Sequence, residues 1–220
     1  MNIALGFVNI LVTFSLVVLM EKLFKKEGLF AWMSIATILA NLTVCKMIGV
    51  FGITTSLGNV LFASTFLATD ILSEKYSKED AKKAVYVGLF SGIVFIIITQ
   101  LTLLFVPSTD DVVNEAMKQL FSISIRTTIA SMTMFFVSNM LDIYIYNKLK
   151  EKFPNKLWLR NNVSTIFCNC VENYLFNTLA FIGIFSIPVI ISIATTTTII
   201  EMIIAICDTP FLYVSKKLKS

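Results

Sequence analysis

The sequence predicts an all-α membrane protein of seven transmembrane helices, and three observations predict it. Hydrophobic residues make up 56% of the 220 and charged residues only 15%, with a mean hydropathy of +0.82. A soluble domain of this size could not bury so much apolar surface, so the bilayer is its solvent. Seven stretches reach the about 20 helical residues that a ~30 Å hydrocarbon core requires. They run roughly over 2–20, 29–48, 56–74, 84–106, 119–147, 161–185 and 188–214. Basic residues fall in alternate connections: three in 21–28, four in 75–83, five in 148–160 and three in 215–220. The intervening loops 49–55, 107–118 and 186–187 hold only Lys118. Positive charge collects on the cytoplasmic side, which puts the N-terminus outside and the C-terminus inside.

Other features of the composition exclude functions. The sequence has no His, which removes the commonest general base, proton relay and metal ligand. Cys45, Cys168, Cys170 and Cys207 lie in apolar segments without zinc spacing and are expected as buried thiols. The net charge of +4 is accounted for by the loop asymmetry, so no nucleic-acid partner is expected. No Ser nucleophile with a base, metal set or phosphate-binding Gly loop is present, so the chain reads as neither an enzyme nor an ATP user, and no cofactor is expected. Without a linker or low-complexity tract, residues 1–220 form one membrane domain.

The first span has no basic run ahead of it and no small-residue cleavage site, so it reads as a true span rather than a signal peptide. The second carries Ser34, Thr37, Asn41 and Cys45 on one stripe, and the third ends in Thr69, Asp70, Ser73 and Glu74. The first and fourth are mostly apolar. Pro107, Ser108 and Thr109, followed by Asp110, Asp111 and Glu115, predict a short outer helix or the first turns of the fifth span. The fifth span bears Arg126 among Thr127, Thr128, Ser131 and Thr133, then Asn139, Asp142 and Tyr146 on one face. The sixth is the most polar: within 161–178, Asn162, Asn169, Asn173 and Asn177 share a stripe, with Thr165 and Glu172 beside it. The seventh sets Thr197, Glu201, Ala205 and Asp208 on one face, and its threonine run 195–198 is expected to hydrogen-bond back onto preceding carbonyls. Asp70, Asp142 and Asp208 each precede an inner basic cluster. A carboxylate near a helix C-terminus opposes the dipole, so each is expected to pair with a cytoplasmic Lys.

An ionisable side chain near the bilayer centre costs at least ~2.5–3.5 kcal/mol and normally faces a bundle interior or a wet cavity. The five polar spans are therefore expected around a cavity, with the two apolar ones at the periphery. Arg126 is expected as a counter-ion to Glu172 or Glu201, and those two acids are candidates for proton coupling as well as solute binding. A purely structural polar network is the competing reading. Amides and carboxylates between aromatic walls suit a flat heterocycle with donors and acceptors, with Phe167, Tyr174 and Phe176 as the expected stacking face.

The stretches FASTFLATDILSEKYSKEDAKKA, IRTTIASMTMFFVSNMLDIYIYNKLK, LWLRNNVSTIFCNCVENYLFNTLAFIG and DTPFLYVSKKLK, in this order, resemble the queuosine-precursor transporter family, also described as vitamin-uptake-transporter-like. Thr69, Asp70 and Glu74 match its first motif, Arg126, Ser131, Leu141 and Asp142 its second, and Arg160, Ser164 and Thr165 its third. The resemblance implies a six-helix core over 29–220 with both ends cytoplasmic, 1–28 being an added helix and loop. It implies uptake of 7-deazaguanine bases such as queuine or its 7-cyano and 7-aminomethyl precursors. The expected solute-binding set is Asn41, Thr69, Asp70, Arg126, Asn139, Asp142, Thr165, Asn169, Glu172, Asn173 and Glu201. The family commonly has Gln at the positions of Asn139 and Asn169, Asp at Glu172 and Lys at Glu201, which leaves open a paralogue carrying another purine-like or vitamin solute. A substrate-binding subunit of an energy-coupling-factor importer is the alternative, since Ala36 and Ala40 resemble the small-residue contact such subunits use. Association as a homodimer is also open.

Overall fold

The computed structural model describes residues 1–50, 53–122 and 125–218. Residues 51 and 52 of the expected outer loop, 123 and 124 near the start of the fifth span, and Lys219 of the basic tail lie outside them.

Among the described residues the chain forms seven helices and one short hairpin. They are α1 (Asn2–Thr43), β1 (Met47–Val50), β2 (Ile53–Ser56), α2 (Gly58–Lys75), α3 (Lys78–Leu103), α4 (Asn114–Phe121), α5 (Ile125–Lys152), α6 (Leu157–Phe181) and α7 (Ile187–Lys217). The antiparallel hairpin, with Met47 opposite Ser56, is a departure from the all-α expectation. The helices α1, α3, α5 and α7 are each long and apolar enough to cross a membrane. Their exposed faces are built of residues such as Phe90, Ile97, Ile98, Ile199 and Ile203, the inverse of a water-soluble surface.

Helix α1 contains the first two expected spans. It breaks at Lys25 (φ 55°, ψ −138°), a left-handed conformation that no helix interior tolerates. The two halves double back, so that Asn2 donates to the Gly49 carbonyl at 3.1 Å although 47 residues separate them. Close approach at this bend requires Gly28, because a Cβ there would overlap the Met20 carbonyl. Gly28→Ala should therefore destabilise the fold by about 1–3 kcal/mol, the usual penalty for overpacking. Thermal unfolding of the purified protein in detergent checks this.

Helix α2 is the centre of the bundle. Every residue from Ala63 to Ser73 is buried, and the helix packs against α1, α3, α5 and α7. Small residues (Ala63, Ser64, Ala68) let its neighbours approach, as packing without a hydrophobic driving force demands. Ala36 and Ala40 of α1 are buried in the same way: a Cβ on Gly58 would stand 3.0 Å from the Ala40 carbonyl. That small-residue pair is therefore occupied inside the chain.

Helix α4 starts later than Pro107 and Ser108 suggested. Asp111 Oδ1 accepts from the Val113 and Asn114 amides, both at 3.0 Å, and sets its first turn. In α7 the threonines bond back as expected: Thr195, Thr197 and Thr198 donate to the carbonyls of Ile191, Ile193 and Ala194 at 2.8, 3.0 and 2.8 Å.

Candidate functional site

A cavity of about 360 Å³ opens at the end of the bundle that carries the hairpin. The second half of α1, α2, α5, α6 and α7 contribute its walls. Its polar lining includes Thr37 and Asn41 from α1, Ser56 from β2, Asn59 from α2, Thr127 and Ser131 from α5, Glu172, Asn173 and Asn177 from α6, and Thr197 and Glu201 from α7. Spacing of four residues explains the sets on α6 and α7, because i and i+4 stack on one helical face. The α6–α7 wall is braced by Asn173 Nδ2 donating to Glu201 Oε2 at 2.6 Å. Glu172 Oε2 is buried and has no hydrogen-bond partner, which leaves it available to a solute donor.

The aromatic walls differ from the expectation. Phe167 and Tyr174 lie on the exposed side of α6, with the Tyr174 hydroxyl 2.7 Å from Thr195 Oγ1. Phe176 does line the cavity, joined by Phe62, Phe135 and Phe181. Phe62 and Phe135 meet edge to face with ring centroids 5.7 Å apart. These rings come from three helices, so no single-span stripe could have announced them.

Arg126 is not the counter-ion. Its Nε donates to the Leu179 carbonyl and its Nη2 to the Ile182 carbonyl, each at 2.7 Å. The guanidinium thus caps the C-terminus of α6, where unsatisfied carbonyls and the helix dipole favour a cation. Arg126→Ala should cost about 1 kcal/mol of stability and leave solute affinity nearly unchanged. Parallel thermal-unfolding and binding measurements on one preparation check both halves of that statement.

The remaining expected residues sit deeper than the cavity. Asn139 is fully buried, donating to the Phe135 carbonyl at 2.9 Å and accepting from Thr65 at 3.3 Å. Asn169 is buried with its Nδ2 unpartnered. Thr69 donates to the Phe66 carbonyl at 2.9 Å. Below them lie Asp70, Asp142 and Asp208, all fully buried. Thr165 donates to Asp142 Oδ1 at 3.4 Å, and Asn161 to Asp208 Oδ1 at 2.6 Å. Among the described residues the expected lysine partners are absent from all three: Lys75 pairs with Glu21 at 2.5 Å, and Lys150 and Lys216 go to Glu74.

Glu74 closes the far end of the bundle. Its Oε2 accepts from Arg160 Nη2 at 2.5 Å and from the Tyr146 hydroxyl at 3.1 Å, while Lys216 Nζ reaches its Oε1 at 2.8 Å. Arg160, only 1% exposed, also donates to the Phe153 and Pro154 carbonyls at 3.2 and 2.7 Å. Beside it, Lys75 donates to the Ser215 and Leu218 carbonyls at 2.9 and 3.0 Å, and Ser215 donates to Glu21 at 2.6 Å. Helices α1, α2, α5, α6 and α7 are thus tied at one end and parted at the other. Asn161, Asp208 and the Glu74 contacts were absent from the expected set, although Asp208 had shown in the recurrence with Asp70 and Asp142.

A bundle parted over a polar cavity at one end and latched by ion pairs at the other has the form of a solute carrier. The family described as "Putative vitamin uptake transporter" matches residues 56–215. The chain belongs to this family of queuosine-precursor transporters. A Bacillus subtilis protein named "Probable queuosine precursor transporter" is 36% identical over 210 residues, covering 94% of this chain and 92% of the relative. A Haemophilus influenzae protein of the same name is 26% identical over 124 residues, covering 56% of this chain and 51% of that relative. No solved structure matches. The protein is a multi-pass membrane transporter rather than an enzyme, and its surroundings are a lipid bilayer and a small-molecule solute.

Proposed function

We propose that this transporter takes up queuosine precursors, 7-deazaguanine bases such as queuine or its 7-cyano and 7-aminomethyl relatives, across the cytoplasmic membrane. The single observation that carries the reading is the cavity, where two carboxylates and several amides face aromatic rings within about 360 Å³. That volume lies at the small end of the range for ligand pockets and suits one bicyclic base. A carboxylate can accept paired N–H groups from a guanine-like edge, an amide can donate to the adjacent carbonyl, and the phenyl rings can stack. Lys75, Lys150, Arg160 and Lys216, from three of the basic connections, lie at the latched end, which supports seven spans with the hairpin end and cavity outside. In this arrangement 29–220 is the core and 1–28 an added helix.

The cavity also favours one precursor over the others. Glu172 and Glu201 both line it, while none of its described lining residues is basic. Two acids without a cation favour a positively charged solute, so the 7-aminomethyl base should bind more tightly than the 7-cyano base. The burial of Ala36 and Ala40 within the chain speaks for a stand-alone carrier over an energy-coupling-factor subunit. One experiment tests the reading: expression of this chain alone in cells unable to make or import the precursors, which are then supplied externally. Queuosine should return to tRNA, and excess guanine should not compete. Unmodified tRNA despite normal membrane insertion would refute the proposal.

A further inference from the structure

Three carboxylic acids from three helices meet below the cavity, and among the described residues none has a cationic partner. Asp142 and Asp208 both lie near enough to Asp70 to act on it electrostatically, and all three are fully buried. Asp70 is fully buried, and neither of its oxygens meets a donor. Asp142 Oδ2 and Asp208 Oδ2 are in the same condition. A second kind of group repeats the demand: Asn161, also fully buried, gives its Nδ2 to Asp208 and is left with an unpartnered Oδ1. These are acceptors only, collected in a region of low dielectric. Two carboxylates facing each other there cannot both remain ionised, because their repulsion is unscreened and neither can donate. Among the described residues no group of acids and thiols is arranged to hold a metal ion. The species that satisfies such a site is a proton.

We propose that Asp70, Asp142 and Asp208 form a proton-binding site, distinct from the solute cavity, whose loading is coupled to solute movement. Buried acids in membrane bundles serve as proton relays for the same physical reason. The path to the cavity runs along α6: Thr165, which donates to Asp142, Asn169, whose Nδ2 is unpartnered, and Asn173, on the cavity wall, follow at intervals of four on one face. Among the described residues, the other titratable or charged groups that act on the site are Glu74 on α2, Tyr146 on α5, Cys168 on α6 and Cys207 on α7, with Arg160 on α6 beside Glu74 and Tyr146. Arg160 is committed to Glu74 and to two carbonyls, so it does not neutralise the aspartates.

The proton site is tested without any solute by infrared spectroscopy of the protein in lipid. At neutral pH a protonated-carboxyl C=O band, shifted in D2O, should be present and should weaken in both Asp70→Asn and Asp142→Asn. Asp208→Asn provides a third variant should either of these not fold. A wild-type spectrum without that band, or one unchanged in every folded variant, would overturn the proposal. Coupling rests on the uptake reading above and is measured with queuine in proteoliposomes. An inside-alkaline gradient of roughly one pH unit should hold an about tenfold accumulation for one proton per base, abolished by a protonophore. In Asp70→Asn the residual uptake should no longer respond to the gradient. Queuine uptake indifferent to the gradient in wild type would overturn the coupling. Queuine immobile in every condition would overturn the substrate reading alone, since the infrared bands decide the proton site independently.

Discussion

Glu74→Gln should cost about 3–5 kcal/mol of stability, the amount expected when one partner of a buried ion pair is removed. The reason lies with what remains. Arg160 is 1% exposed, and among the described residues it has no other carboxylate partner. Without Glu74 its guanidinium would stay buried with only carbonyls and the Tyr146 hydroxyl for company, and Lys216 and Lys150 would be drawn toward solvent. Unfolding followed by tryptophan fluorescence in detergent measures the loss. Arg160→Met in the Glu74→Gln background should recover part of it, because removing the guanidinium leaves no buried charge stranded beside the neutral amide. A single variant within about 0.5 kcal/mol of wild type would remove Glu74 from the latch. The same substitution should also raise access from the far end, since this one side chain of α2 holds groups from α5, α6 and α7 together.

Glu172→Gln should weaken binding of the 7-aminomethyl base by about 10- to 100-fold, the equivalent of one hydrogen bond to a charged group. Glu172 is the natural choice because its Oε2 is buried, unpartnered and on the cavity wall. Glu201 is already engaged by Asn173, so Glu201→Gln would both remove a charge and loosen the α6–α7 brace. Equilibrium binding to purified protein measures the effect, with Asp110→Asn as the control in the exposed loop before α4. Equal losses in the two variants would mean that net charge, and not a contact in the cavity, governs affinity.

Much of this architecture was legible in the chain. Hydropathy and length located the helices, and Asn169, Asn173 and Asn177 with Glu172 marked the helix that faces inward. What the pattern could not supply was partnership. Arg126 looked like a counter-ion because it is a charge within a polar stretch, yet it caps α6 through two carbonyls. Backbone acceptors have no signature in side-chain spacing. Phe167 and Tyr174 share a helix with the site, but rotation about the helix axis turns them outward. Asp70, Asp142 and Asp208 each looked destined for a nearby lysine, and the lysines chose Glu21 and Glu74 instead.

By itself, then, the sequence determined the solvent, the approximate helices and which faces cannot meet lipid, because each follows from local composition and the fixed period of a helix. Tertiary structure alone decided which acids have cations, which amides are left open, and at which end the bundle parts. Those outcomes depend on distances between side chains more than 70 residues apart in some cases, as between Glu74 and Arg160, 86 apart. Such distances arise only when the helices pack.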